Sequence, residues 1–310
     1  MKYEHALLCM HGMGNLLENE FIADIERLKQ KLARRMSVDK FSKIYIPASG
    51  IFYSKLTQNQ EDKVWEGMID SGKLSNGFIR SKTINPIRRF MISGFSDATA
   101  FIGTDGLSNT NQQYTEVQKL IYDALVDIHK NCGNVPITII SQSLGCQILS
   151  NYLWDAQLYW RKTNNGDHFS IDSRSIWNTH QQTDNDDFLC LQSLRTWFTT
   201  GCNIPIFVSG FRNIRAVHNR DYGYNFDWVN YYDYDDMLGY PLTPLGVLFD
   251  SNNNNSHGQS YAQAATDIQV NAADGFWGAV TSSWNPLSHL QYWGDDAVLD
   301  ALAGAINRSV

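Results

Sequence analysis

The chain has 310 residues, 43% hydrophobic and 18% charged, which is the composition of a folded protein with a substantial core. Its net charge of −7, from 25 basic and 32 acidic residues with no basic stripe, argues against a nucleic-acid partner. Five scattered cysteines with no CxxC pair argue against a disulfide framework and a zinc site, and read as buried free thiols.

The N-terminus enters a short apolar run at once, with no signal-peptide pattern. No apolar run reaches the roughly 18 residues that cross a bilayer. The expectation is a cytoplasmic protein without stable membrane insertion. The composition leaves the oligomeric state open.

In chain order, Ala6–Cys9 reads as a strand running into His11-Gly12-Met13-Gly14. Residues 21–36 carry apolar side chains at helical spacing. Lys43–Pro47 reads as a second strand. Tyr114–Lys130 is an amphipathic helix with Gly133 beyond its end. The β-branched run Ile137–Ile140 is a strand, and Cys146–Trp154 is helix-like. Ile204–Val208 and Asp227–Tyr232 read as further strands, Ile268–Val270 as a short one, and Asp295–Ile306 as a closing helix. This alternation predicts one α/β domain over 1–310, with a mostly parallel central sheet flanked by helices on both faces. Two polar stretches break the alternation. Residues 56–113 read as a long insertion, and 156–190, with interleaved aromatics and an acidic patch, as a lid or cap insertion.

The most informative stretch is Ser141-Gln142-Ser143-Leu144-Gly145 between a strand and a helix. Small residues two before and two after a serine at such a turn are the layout of a nucleophile elbow, which thrusts one side chain out above a sheet. The usual first glycine is Ser141 here.

A serine hydroxyl needs a base, an acid that orients the base, and donors for the oxyanion. Downstream, Asp233, Asp235 and Asp236 crowd the end of the Asp227–Tyr232 strand. Asp235 is the first choice for the acid and Asp236 the second. A calcium loop is the rival reading, but Leu238 stands where an EF-hand needs glycine.

For the base, His218 precedes the acids and His257 sits in an Asn-rich loop. His289, beyond the last strand and just before the closing helix, keeps the order Ser, acid, His. The backbone amides of Met13 and Leu144 are the expected oxyanion donors. His11-Gly12-Met13-Gly14 is no phosphate loop, since no Gly-Lys-Ser/Thr follows, and the chain carries no cofactor motif.

Together, His11–Gly14, Ser141–Gly145, Asp233–Tyr240 with Pro241-Leu242, and Ser288–Trp293 make the chain resemble an α/β-hydrolase of the lipase/esterase type, over nearly its whole length. Thr200–Pro205 is also similar to the strand entry that follows the lid in such proteins. The resemblance implies a serine hydrolase of small-molecule esters, with Ser143 as nucleophile, His289 as base, Asp235 or Asp236 as acid, and 156–190 as the lid. The same machinery serves thioesters, lactones and amides. The competing class is a non-catalytic hydrolase-like protein that binds a ligand or partner.

Overall fold

A computed structural model describes residues 2–13, 16–56, 58–70, 85, 88–89, 91–98, 101, 112–251, 257–271 and 292–310. Among them, six strands form one all-parallel sheet: β1 (His5–Met10), β2 (Ile44–Tyr45), β3 (Ile137–Gln142), β4 (Leu194–Thr200), β5 (Asp227–Tyr232) and β6 (Ala265–Gln269). Their spatial order is β2-β1-β3-β4-β5-β6. Around the sheet lie α1 (Glu18–Ala33), α2 (Val38–Ser42), α3 (Gln58–Asp70), α4 (Gln112–Cys132), α5 (Leu144–Asn165), α6 (Ile176–Thr179), α7 (Asp186–Leu189), α8 (Ile204–Val208), α9 (Tyr261–Ala264) and α10 (Asp296–Asn307). This open α/β sheet is compatible with a hydrolase-like fold.

The sheet is covered on both faces, so β1 and β3 are buried at every position. Side chains alternate across a strand. Ala6, Leu8 and Met10 therefore join one core with Ile121, Leu125 and Leu149 of α4 and α5. Leu7 and Cys9 join a second core with Phe21, Ile25, Val298 and Leu302 of α1 and α10. Each fully buried Leu or Ile contributes about 1.5–3 kcal/mol. All five cysteines are buried free thiols. No helix among the described residues is long and apolar enough to cross a membrane.

One expected strand is a helix. Ile204–Val208 forms α8, with Asn203 at the cap and Pro205 in the first turn, where its missing N–H and fixed φ are tolerated. The strand in this region is β4, Leu194-Arg195-Thr196-Trp197-Phe198-Thr199-Thr200, whose arginine and three threonines hid it from an apolar-run reading. Its β-branched and aromatic content nonetheless favours a strand.

The helix expected over Cys146–Trp154 continues to Asn165, so 156–165 is the second half of α5. Farther on, Trp177, Phe188 and Leu189 bury into the α4–α5 core, with Trp177 5.0 Å from Tyr159 and 5.7 Å from Tyr152. Asp186 of the acidic patch accepts from Tyr159 Oη (2.6 Å), Thr183 Oγ1 (2.7 Å) and His180 Nε2 (2.9 Å). Within 56–113, α3 and helical residues 91–98 are described, and Ala98 and Phe101 reach the core.

Candidate active site

The strand order doubles back at β1, which pairs with β2 on one side and β3 on the other. A parallel sheet opens a crevice at the carboxyl ends of its strands where the order reverses. Here those ends are His11-Gly12 after β1 and Ser143 after β3.

Ser143 caps α5 with φ 51° and ψ −125°. A non-glycine residue held there stores roughly 1–3 kcal/mol of strain and persists only when its surroundings force it. They do. Ser143 N–H donates to Thr200 O (3.0 Å), and Cys146 N–H to Ser143 O (2.9 Å).

Two glycines let the β1 turn press on this elbow. A Cβ on Gly12 would lie 2.8 Å from Ser143 Cβ, and one on Gly145 would lie 2.4 Å from His11 O. The second contact is with backbone and has no room to yield. Gly145→Ala is expected to destabilise the fold by about 3 kcal/mol, the upper range for overpacking. Gly67→Ala, in open space on α3, is expected to stabilise by about 0.5–1 kcal/mol. Urea unfolding of the two variants checks the contrast; equal effects would refute the close approach.

Ser141, the residue in place of the usual glycine, has its own bonds. Its hydroxyl accepts from Trp197 Nε1 (2.8 Å), and its carbonyl from Thr200 Oγ1 (3.2 Å). The departure from glycine therefore ties β3 to β4 under the elbow.

His11 is not placed to act as a base. Its Nδ1–H donates to Gly12 O, and its Nε2 accepts from Tyr53 N–H (3.0 Å). The ring stacks on Tyr53 at 4.1 Å. Burial lowers its pKa to about 3, against a partial rise from the Gly12 carbonyl. This histidine pins the turn that carries Met13. Met13 is itself buried, with its Sδ against Gly94 of the 91–98 helical stretch.

Asn203 was not singled out by the sequence reading. Oriented to satisfy its neighbours, its carboxamide donates to Ser143 O (3.0 Å) and accepts from Leu144 N–H (3.3 Å). The same end stands 3.4 Å from Ser143 Oγ. Ser143 is fully buried, so the side chain expected to stand out above the sheet is instead covered, with the Asn203 carboxamide packed against it.

The acid loop follows β5. Asp233 and Asp236 are buried, and Asp235 is exposed. Asp236 accepts from Tyr292 Oη (2.8 Å) and Leu238 N–H (2.9 Å). Asp233 Oδ1 accepts from Asp235 N–H (2.9 Å), and Asp233 N–H donates to Tyr292 Oη (3.0 Å). Burial raises the Tyr292 pKa first, and the Asp236 charge adds to it.

The loop is tied to the elbow through the end of β4. Tyr240 N–H donates to Cys202 O (2.9 Å), and a Cβ on Gly239 would lie 2.9 Å from Gly201 Cα and 2.4 Å from Asp236 Oδ2. Beneath it, Asp267 of β6 accepts from Asn230 Nδ2 (2.7 Å), Leu242 N–H (2.9 Å) and Thr243 N–H (2.8 Å). Asp267 braces the loop from below, a role its sequence neighbours do not signal.

The expected base, His289, lies outside the described residues. His218 and His257 pack together at 5.0 Å between ring centres, with His257 Nδ1 3.1 Å from Arg161 Nη1. Arg161 lies in the last turns of α5, 18 or more residues from its Ser143 end. Among the described residues no cluster of three or more His, Cys, Asp or Glu is arranged to hold a metal. No protein-family model matches the chain, and no curated protein does.

Proposed function

We propose that the chain is a serine hydrolase of carboxylic esters, working through an acyl-enzyme on Ser143. The observation that carries this is the Ser143 backbone, a strained strand-to-helix turn at the carboxyl edge of a parallel sheet where the strand order reverses, pressed against Gly12.

In this reading Ser143 Oγ attacks the acyl carbonyl and His289 takes its proton. The Met13 and Leu144 amides hold the oxyanion, and water releases the acid. Burial favours Asp236 over Asp235 as the orienting acid, because a carboxylate shielded from water keeps its hold on an imidazole N–H. His289 and Tyr292 are three residues apart, a chain reach of about 10 Å, and Tyr292 is bonded to Asp236.

Asn203 supports a second reading, a hydrolase-like protein that binds a ligand without turnover. Its carboxamide oxygen already takes the Leu144 N–H that an oxyanion would need.

A fluorophosphonate probe followed by intact-mass and peptide analysis separates the two. Stoichiometric labelling at Ser143 is expected for the hydrolase. Absence of labelling, with the protein folded, favours the binding protein.

A further inference from the structure

A cleft of about 270 Å³ runs down the outer side of α5. One wall is the helical stripe Gln147, Asn151, Trp154 and Leu158, at spacings of four, three and four, and the other is formed by Phe207 and Phe211. Both walls begin one turn from the candidate site. Gln147 follows Ser143 by four residues on α5, and Phe207 follows Asn203 by four at α8. From Gln147 to Leu158 the stripe is about 16 Å long. Its volume is slightly below that of a pocket for a whole drug-sized ligand, and suits one arm of a molecule.

The charged groups of the cleft are paired with neighbours, and one buried polar group is not. Arg174 is held by Asp172 through Nε (3.0 Å) and Nη2 (2.7 Å), and lies over the Tyr114 ring. Asp155 accepts from Tyr114 Oη and Gln118 Nε2, both at 2.8 Å. An anionic arm would meet two carboxylates, and a cationic arm would compete with bonds already made.

The exception is Gln147. It is 7% exposed, its Nε2 donates to Asn151 Oδ1 (2.9 Å), and its buried Oε1 has no partner. Buried amide oxygens are rarely left so. Gln147 itself lines the cleft, one turn from Ser143.

We infer that this cleft receives one arm of the substrate, a neutral apolar or aryl chain carrying an N–H or O–H donor, and that Gln147 Oε1 accepts from that donor. The inference rests on the hydrolase reading for its turnover assay, though not for its binding assay.

The test uses two p-nitrophenyl esters, of N-acetylphenylalanine and of 3-phenylpropanoic acid, which differ by an acetamido group, and so by its N–H donor, on the carbon next to the acyl carbon. The wild-type chain is expected to favour the first by roughly tenfold in KM, the worth of one buried hydrogen bond. Gln147→Leu is expected to erase that preference through KM for the amide ester. Gln147→Met serves as a second apolar replacement if the first folds poorly. A preference intact in both variants overturns the inference and leaves the hydrolase reading standing.

If neither ester turns over, calorimetry on Ser143→Ala with N-acetylphenylalanine methyl ester decides. Affinity lowered about tenfold by added Gln147→Leu upholds the cleft while the hydrolase reading falls. Equal affinity, or no binding, overturns the cleft.

Discussion

Ser143→Ala is expected to lower kcat/KM on p-nitrophenyl acyl esters by roughly 10⁴-fold to 10⁶-fold, since the members of a nucleophile unit fail together. The variant keeps the strained backbone, because alanine is no freer at φ 51° than serine. Ser143→Gly is expected to be equally inactive yet more stable than wild type. Glycine relieves roughly 1–3 kcal/mol of strain and gives back roughly 0.5–1 kcal/mol of chain entropy, for a net gain of about 1 kcal/mol. Opposite signs for activity and stability at one position are hard to obtain unless strain there serves function. Unchanged turnover in Ser143→Ala would overturn the assignment, whatever the stability result. In the same assay Asp236→Asn is expected to lose about 10³-fold to 10⁴-fold by analogy with an orienting acid replaced by its amide. Asp235→Asn, on the exposed side of the loop, is expected to lose far less. The reverse order moves the acid to Asp235.

Acid is expected to unfold the chain well above the pH at which its carboxylates titrate. Four histidines, His5, His11, His218 and His257, have lowered pKa values, with burial as the leading cause in each. The values fall to about 4 for His5, about 3 for His11 and about 2 for His257. Hydrogen bonding agrees with burial. His11 Nε2 accepts from Tyr53 N–H (3.0 Å) and His218 Nε2 from Gly258 N–H (3.1 Å), while His257 Nδ1 faces the Arg161 guanidinium at 3.1 Å. A proton on any of these nitrogens breaks the bond. Arg161 and Arg215 also oppose a charge on His218 and His257, while Asp221, 3.3 Å from His218, partly favours it.

The sign follows from linkage. The unfolded chain protonates each histidine as pH falls through about 6.5, and the folded chain does not. Stability is therefore fully present above 6.5 and is lost below it, down to the folded values. Each group removes about 1.4 kcal/mol per pH unit, so near pH 5 His5, His11 and His257 together remove several kcal/mol, on the scale of a domain's whole stability. Urea unfolding from pH 7.5 to pH 5 checks this through its slope, expected to approach about three protons taken up on unfolding. A flat profile would refute it.

Alternation and periodicity made β1, β3, β5, α1, α4 and α10 legible in the sequence, because each buries its apolar residues at the spacing of its own geometry. The second half of α5 was not legible, because its buried residues include polar ones. Gln157 exchanges two hydrogen bonds with the His218 backbone (2.7 and 3.0 Å), and Arg161 holds Asp167 at 2.6 Å. Such partners are visible only in three dimensions. The same holds at the site. The serine, its trailing glycine and the preceding strand announce an elbow locally. Asn203, 60 residues away, enters the site through a turn at Gly201, with φ 52°, that a strand reading of the next segment conceals.

The cross-strand row Ser141, Thr199, Asn230, Asp267 lies just below the carboxyl edge of the sheet. Thr199 Oγ1 donates to Asn230 Oδ1 (2.8 Å), and Asn230 Nδ2 to Asp267 Oδ1 (2.7 Å). The row acts as a ruler. Ser143 and the acid loop sit on β3 and β5, two inter-strand steps apart, or about 10 Å. An imidazole with a hydrogen bond at each nitrogen is roughly 8 Å from end to end. The pitch of the sheet thus sets the spacing between Ser143 and the Asp233–Asp236 loop, and in the proposed hydrolase the base that joins them would stand over β4.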